Sequence, residues 1–438
     1  MNQNLKIFFW SLSAALGGFL FGFDTAVISG VEQTLQKLWN LNAFEHGVTV
    51  SIALIGTVVG SVIGGIPAEK LGRKKSLLII ALLYLVSSVG TAYAVDWSVF
   101  LVFRFMGGLG VGVSSVVAPL YISEIAPAHK RGRLVAMFQF NIVFGILMAY
   151  LSNYLLSGIG ENEWRWMLGV QAFPSLIFII TVLFIPESPR WLILKRGDIS
   201  TARTILHTID KNSSEQIIAS IKQNTSKVHV PLFQKAYSKS IMLAVLFAVF
   251  NQVSGINAII YFAPRIFEMA GIGKDSALLS SAGIGLINLV STLLGISLID
   301  KFGRRALMIV GSCGLILTLV LVSQAFFTQR MGMNVPFYLF AYIAFFAFSQ
   351  GAVIWVFISE IFPNEVRANG QALGSFTHWL MASIITFTFP YIAETFGGGI
   401  VFAFFASMMI LQLLFAWKIM PETKGKSLEN MDSVVLVH

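Results

Sequence analysis

Long apolar runs separated by short polar clusters fill the chain from end to end. Hydrocarbon about 30 Å thick is crossed by roughly 20 apolar residues in a helix. Segmenting on that length predicts about twelve spans, at 7–30, 48–68, 76–95, 98–121, 134–156, 166–186, 239–264, 276–298, 306–327, 335–358, 369–393 and 398–420. The first run, Ile7 to Gly30, is longer than a signal-peptide core, and no small-residue cleavage site follows it, so it counts as the first span. Gly and Ser gather on one side of several runs, as at Gly107, Gly108, Gly110 and Gly112. Small residues let helix backbones approach closely where burial of apolar surface gives no net drive.

Composition agrees with the pattern. The 438 residues are 56% hydrophobic and 12% charged, with a mean hydropathy of +0.78. That leaves too few charges to cover a water-soluble surface, so the expected fold class is an all-α membrane protein. The net charge of +9 is carried by short clusters between the spans rather than by one continuous face. It points to a lipid bilayer as partner and away from nucleic acid.

Cytoplasmic loops retain Lys and Arg, which fixes orientation. With the N-terminus inside, the cytoplasmic side takes Lys6, Lys70 to Lys75, Lys130 to Arg133, the 187–240 loop, Lys301 to Arg305, Arg367, Lys418, Lys424 and Lys426. The outside keeps only Lys37, Arg165, Arg265, Lys274 and Arg330. Both termini are then cytoplasmic, and the glycosylation-like triplets at Asn212 and Asn224 fall in a cytoplasmic loop, where they read as chance.

Three motifs recur about half a chain later in the same order, the mark of a tandem duplication. Gly64-x4-Glu69-Lys70-x-Gly72-Arg73 returns as Gly295-x4-Asp300-Lys301-x-Gly303-Arg304. Glu124-x2-Pro127-x3-Arg131 returns as Glu360-x2-Pro363-x3-Arg367, and Pro186-Glu187-Ser188 as Pro421-Glu422-Thr423. An even number of spans per half makes these parallel repeats. The expected organisation is a six-helix bundle at 1–186, a cytoplasmic linker with short helices at 187–238, a second six-helix bundle at 239–420 and a cytoplasmic tail at 421–438.

Halves that open alternately to each side need breakable contacts on the closed side. Glu69, Arg73, Glu124, Arg131, Asp300, Arg304, Glu360 and Arg367, all at cytoplasmic helix ends, are the expected gate. Deeper in the spans, sorting the 21 acidic residues by position leaves Asp24 as the only well-buried carboxylate, and the same sort leaves Arg104 as the only buried cation. Each sits roughly 9 Å from the outer end of its helix at about 1.5 Å per residue, so the two share a depth and can pair. An ionisable residue inside a membrane is a functional site by default. Protonating Asp24 would free Arg104, which makes the pair a proton switch.

Other chemistries find no support. The single cysteine, Cys313, excludes an internal disulfide and a cysteine metal cluster. No phosphate-binding loop, nucleophile elbow or metal-spaced histidines occur, so no enzyme, ATP-driven pump, cofactor or metal is expected. A sugar sensor would need an output domain, and only a short stretch follows Met420.

The segments Phe21-Gly-Phe-Asp24-Thr-Ala-Val-Ile-Ser-Gly30, Glu187-Ser-Pro-Arg-Trp191, Gln252-Val-Ser-Gly-Ile-Asn257 and Pro421-Glu-Thr-Lys-Gly-Lys426 resemble the sugar porter family of the major facilitator superfamily, in that family's order and along essentially the whole chain. The likeness is strongest to bacterial proton-coupled xylose and glucose symporters, which implies an inner-membrane location, a small neutral sugar and protons as partners, and a monomer as sufficient. Facilitative carriers of the family lack the acid at Asp24, so its presence implies symport. A facilitative uniporter with a structural Asp24–Arg104 pair is the alternative.

The resemblance carries the sugar site onto Phe21, Gln139, Gln252, Asn257, Tyr261, Asn288 and Trp355. Amides both donate and accept, as sugar hydroxyls require, and an indole adds a flat apolar face. That neutral array argues against a drug exporter. Three positions depart from the family pattern: Asn251 stands for a glutamine, His378 before Trp379 stands for an amide, and Ala352 beside Gly351 stands for a proline. They leave the identity of the sugar open.

Overall fold

The computed structural model describes residues 3–210, 214–223, 230–330, 332–363 and 365–424. Asn212, Ser213, the triplet at Asn224, Lys426 and the tail beyond 424 lie outside the described residues. Among those described, all regular structure is helical.

In chain order the helices begin with α1 (Gln3–Val27), a 3-10 turn at Ile28–Gly30, α2 (Glu32–Leu38), α3 (Ala43–Ile63) and α4 (Gly65–Leu71). Then follow α5 (Arg73–Ala92), α6 (Trp97–Ile125), α7 (Arg131–Leu156), α8 (Glu163–Gly169) and α9 (Ala172–Leu183). Next come α10 (Pro189–Trp191), a π turn at Leu192–Arg196, α11 (Ile199–Ile209) and α12 (Ser214–Gln223). The remainder comprises α13 (Ser238–Val253), α14 (Ile256–Met269), α15 (Lys274–Phe302), α16 (Arg304–Phe327), α17 (Asn334–Phe346), α18 (Ala352–Glu360) and α19 (Arg367–Lys418).

Eleven helical stretches among the described residues, some of them made of consecutive helices, are long and apolar enough to cross a membrane, where the sequence predicts about twelve. The difference lies in α19, a 52-residue run in which Gly397 (φ 79°, ψ 159°) leaves the helical region. Large apolar side chains such as Val86, Phe173, Ile180, Leu293 and Leu411 are exposed, as lipid-facing surfaces require and water-facing ones do not tolerate in bulk.

The chain forms two compact units. The first comprises Met1–Thr25, Ile52–Ala149 and Glu161–Val228; the second comprises Ala26–Ser51, Tyr150–Gly160 and His229–His438. Segments 26–51 and 150–160 thus group with the later helices, a division that span counting alone does not suggest.

Inside the first unit, small residues set the helix spacing. A Cβ added at Gly108 or Gly112 of α6 would collide with the carbonyls of Ala53 and Thr57 on α3. One added at Gly22 of α1 would strike the Ile142 carbonyl of α7. The backbones touch because glycine allows it.

α5 and α16 start alike. Gly72 (φ 95°) and Gly303 (φ 88°) adopt a backbone that favours glycine, and each precedes an arginine opening a long helix. In the first unit Glu187 Oε1 accepts from the N–H groups of Arg73 (2.8 Å) and Lys74 (3.1 Å). In the second, Glu422 accepts from those of Arg304 (2.9 Å) and Arg305 (3.0 Å). A carboxylate at these positions satisfies orphan donors and the positive end of the helix dipole.

Candidate functional site

The buried ion pair of the first unit comes from α1 and α6. Arg104 Nη1 donates to Asp24 Oδ1 at 2.8 Å, and Nη2 reaches the Asp24 carbonyl at 3.3 Å. Asp24 is 2% exposed and Arg104 1%, so both charges are removed from water. Gly107 makes room: a Cβ there would sit 3.6 Å from Asp24 Oδ1 and collide with Ser87 Oγ. The buried Gln171 lies beside the carboxylate. Phe21 and Gln139 belong to this unit as well, Phe21 buried one turn before Asp24 on α1 and Gln139 half-buried on α7.

These are not the only buried charges. Glu32, which the sequence places in an outer loop, is 0% exposed, and so is His46. Arg73 and Arg304 at the helix starts are also buried. Sorting by position within spans misses all of them, because tertiary packing rather than span depth covers these residues.

In the second unit the carried-over residues gather around Gln252 at the end of α13. Its amide nitrogen donates to Asn251 Oδ1 at 2.9 Å and lies 3.2 Å from the His378 ring nitrogens. Its oxygen accepts from Asn257 Nδ2 at 2.6 Å. With one amide proton on Asn251, the other faces a ring nitrogen of His378, which must then supply a lone pair. His378 thereby does the work of an amide acceptor, though its ring leaves no side-chain oxygen.

Aromatic rings close one flank. His378 lies tilted against Trp355 with ring centroids 4.9 Å apart, and Trp379 meets it edge-on at 4.7 Å. Asn251 turns its buried Nδ2 to no partner within the described residues, an unused donor beside the cluster. Tyr261 is buried on α14, and Asn288 on α15 accepts from Thr292 at 3.5 Å. Gly351 ends a π turn, Ala347–Gly351, directly before α18. The helix therefore widens into a π turn just before Ala352 without leaving helical geometry, and π turns are frequent at functional positions. A buried pair absent from the sequence reading, Gln350 and Gln412, joins this turn to α19 at 2.8 Å.

The charged helix ends form matched sets within each unit. Arg73 grips Glu124 through two bonds of 2.9 Å. Arg304 grips Glu360 at 3.1 and 2.7 Å and also reaches Asp300 at 3.1 Å. Glu69 stands 3.8 Å from Lys195, both exposed, while its carbonyl accepts from the Trp191 indole at 2.8 Å. Arg367 donates to the Phe362 carbonyl at 3.2 Å, and Arg131 is exposed at the start of α7. In the linker, Arg203 joins α11 to α12 through Glu215, and this bond holds the Glu215 carboxyl below its ordinary range.

A family model described as sugar (and other) transporter matches residues 10–435. The D-xylose-proton symporter of Escherichia coli (strain K12) is 37% identical over 470 residues, covering 98% of this chain and 95% of the relative. The arabinose-proton symporter of Bacillus subtilis (strain 168) is 36% identical over 436 residues, covering 97% and 94%. A solved structure of the xylose transporter from E. coli, in a partially occluded inward-open conformation, superposes with a TM-score of 0.87 at 36% identity, covering 96% and 99%. These are transporters and not enzymes, and on identity that spans nearly the whole chain this multi-pass membrane protein belongs to the sugar porter family of the major facilitator superfamily.

Proposed function

We propose that the chain is a secondary active transporter that couples proton entry to uptake of a small neutral monosaccharide, a hexose or pentose, by alternating access. The Gln252 cluster supports the sugar reading: neutral amides and a histidine that exchange hydrogen bonds beside an indole suit a hydroxyl-rich, uncharged ligand. On this reading Asn251, Gln252, Asn257, Tyr261, Asn288, Gly351, Trp355, His378 and Trp379 of the second unit are sugar-binding residues, as are Phe21 and Gln139 of the first.

One observation carries the coupling: Asp24 and Arg104 pair at 2.8 Å with no exposure to speak of. A lone buried charge costs several kcal/mol, so protonating Asp24 releases Arg104 and shifts the balance between helix arrangements. The relatives named as proton symporters agree with this assignment.

We read α19 as two spans parted at Gly397, which makes twelve, in two parallel repeats with both termini in the cytoplasm and the chain in the inner membrane. The charged sets at the helix ends then act as the cytoplasmic gate. External pH on adding sugar to de-energised vesicles tests the coupling, with alkalinisation expected. A second reading, facilitative uniport, draws on the bond from Arg104 to the Asp24 carbonyl, which fits a structural tie between α1 and α6. It predicts exchange without any pH change.

A further inference from the structure

A second buried ionisable group lies in the second unit, where α2, the start of α3 and α14 meet. Glu32 Oε2 lies 2.6 Å from His46 Nε2, and Arg265 Nε donates to Glu32 Oε1 at 3.0 Å. Arg265 also holds Gln36 on α2 and stands 3.7 Å from Glu394 on α19. The remaining charged groups nearby are engaged elsewhere or turned outward. Glu268 on α14 accepts from Gln33 at 3.2 Å, and Glu45 accepts from the Asn42 N–H at 3.0 Å. His46 packs edge-on against Phe262, the residue at which α14 leaves helical geometry (φ −122°, ψ 20°).

His46 Nε2 and Glu32 Oε2 meet as an ion pair at 2.6 Å rather than in hydrogen-bond geometry, and a contact that short requires the pair to hold a proton, since two bare lone pairs would repel. The next proton goes to His46 Nδ1, which is buried and has no acceptor among the described residues. It also adds a positive charge beside Arg265, whose charge already balances Glu32. Glu394, which also stands near Arg265, is 48% exposed and solvated. Both effects favour an arrangement in which a charged His46 reaches water.

We propose that Glu32 and His46 form a second proton-binding site, separate from Asp24 and Arg104, which latches segment 26–51 to α14 and α19 and loosens when His46 gains its proton. The charge pattern puts these helix ends outside, so the latch reads external pH and favours opening in acid. It positions the outer ends of the spans and touches no sugar.

The test is sugar exchange in proteoliposomes at equal pH on both faces, scanned between about pH 5 and pH 8. Exchange needs no net proton movement, so it reads the latch whether or not uptake is coupled; accumulation under an imposed gradient separately reads the coupling. Wild-type exchange should rise toward acid, and His46→Gln, which keeps a donor but cannot become charged, should lose that rise. Glu32→Gln should lose it too. A flat wild-type profile, or an acid rise that survives His46→Gln, overturns the proposal. Should the variants fold poorly, hydrogen exchange of the unmutated protein, corrected for intrinsic rates, decides the matter. Segment 26–51 should lose protection in acid relative to 274–302, and equal protection at both pH values refutes the latch.

Discussion

Replacing Asp24 by asparagine should separate carrying sugar from concentrating it. Arg104 Nη1 donates to Asp24 Oδ1 at 2.8 Å, and an asparagine in the same rotamer offers a carbonyl oxygen at that place. The oxygen can still accept, but the charge assistance is lost, so Arg104 is held more weakly, as it is when Asp24 is protonated. Hydrogen bonds to charged groups contribute about 1.5–3 kcal/mol and neutral ones about 0.5–1.5, so the variant should lose roughly 1–2 kcal/mol and stay folded. Asp24→Ala is the harsher control, since it strands a buried guanidinium at a cost of about 3–5 kcal/mol. An amide cannot release a proton, so the driving force disappears. One charge crossing about 100 mV supplies about 2.3 kcal/mol, worth roughly fifty-fold accumulation. Proteoliposomes with an imposed potential of about 100 mV and equal pH on both faces should show that gradient of sugar for the wild type and none for Asp24→Asn, while counterflow continues in both. Accumulation by Asp24→Asn at the wild-type level would refute the reasoning and leave the pair as a structural tie.

Three further outcomes follow from the geometry. Gln252→Ala strands Asn251, Asn257 and His378 together, and Trp355→Ala removes the ring against His378; each should reduce sugar affinity by tenfold or more, about 1.4 kcal/mol or above, in purified protein that still elutes as a single species, and near-native binding by both would remove the cluster from the site. His378→Gln restores an amide where the ring now accepts from Gln252, so the ranking of sugars in a competition panel should change while the ratio of protons to sugar stays fixed. Gly108→Val drives a branched side chain into the Ala53 carbonyl and should lower the thermal unfolding midpoint, consistent with about 1–3 kcal/mol of overpacking, whereas the same change at the open Gly65 should leave it unmoved.

Much of this was legible because membranes make strong demands on sequence. Span length, the siting of Lys and Arg and the repeated Gly-Arg motifs follow from hydrocarbon thickness and charge cost, which act locally. The pairing of Asp24 with Arg104 was readable because both stand alone in apolar runs at matching depth, and the structure joins them. Glu32 and His46 were not readable, since their burial depends on segment 26–51 folding against α14, a contact between residues more than half the chain apart. The roles of Glu187 and Glu422 were visible only as repeated letters. That each caps the helix begun by a distant Gly-Arg pair is a tertiary fact. Gly397 shows the reverse case, with a break that the apolar pattern marks clearly and an almost continuous helical run in the structure.

The twin caps give the molecule an internal replicate. Gly72 with Glu187 and Gly303 with Glu422 hold nearly the same atoms at nearly the same distances, yet they sit in different surroundings within one polypeptide. A substitution made at one can be repeated at the other, with expression, lipid and assay held identical. Chemistry intrinsic to the cap would then appear twice with equal size, and any inequality would measure what each unit asks of its own helix start. Few soluble proteins allow that comparison without a second protein as the reference.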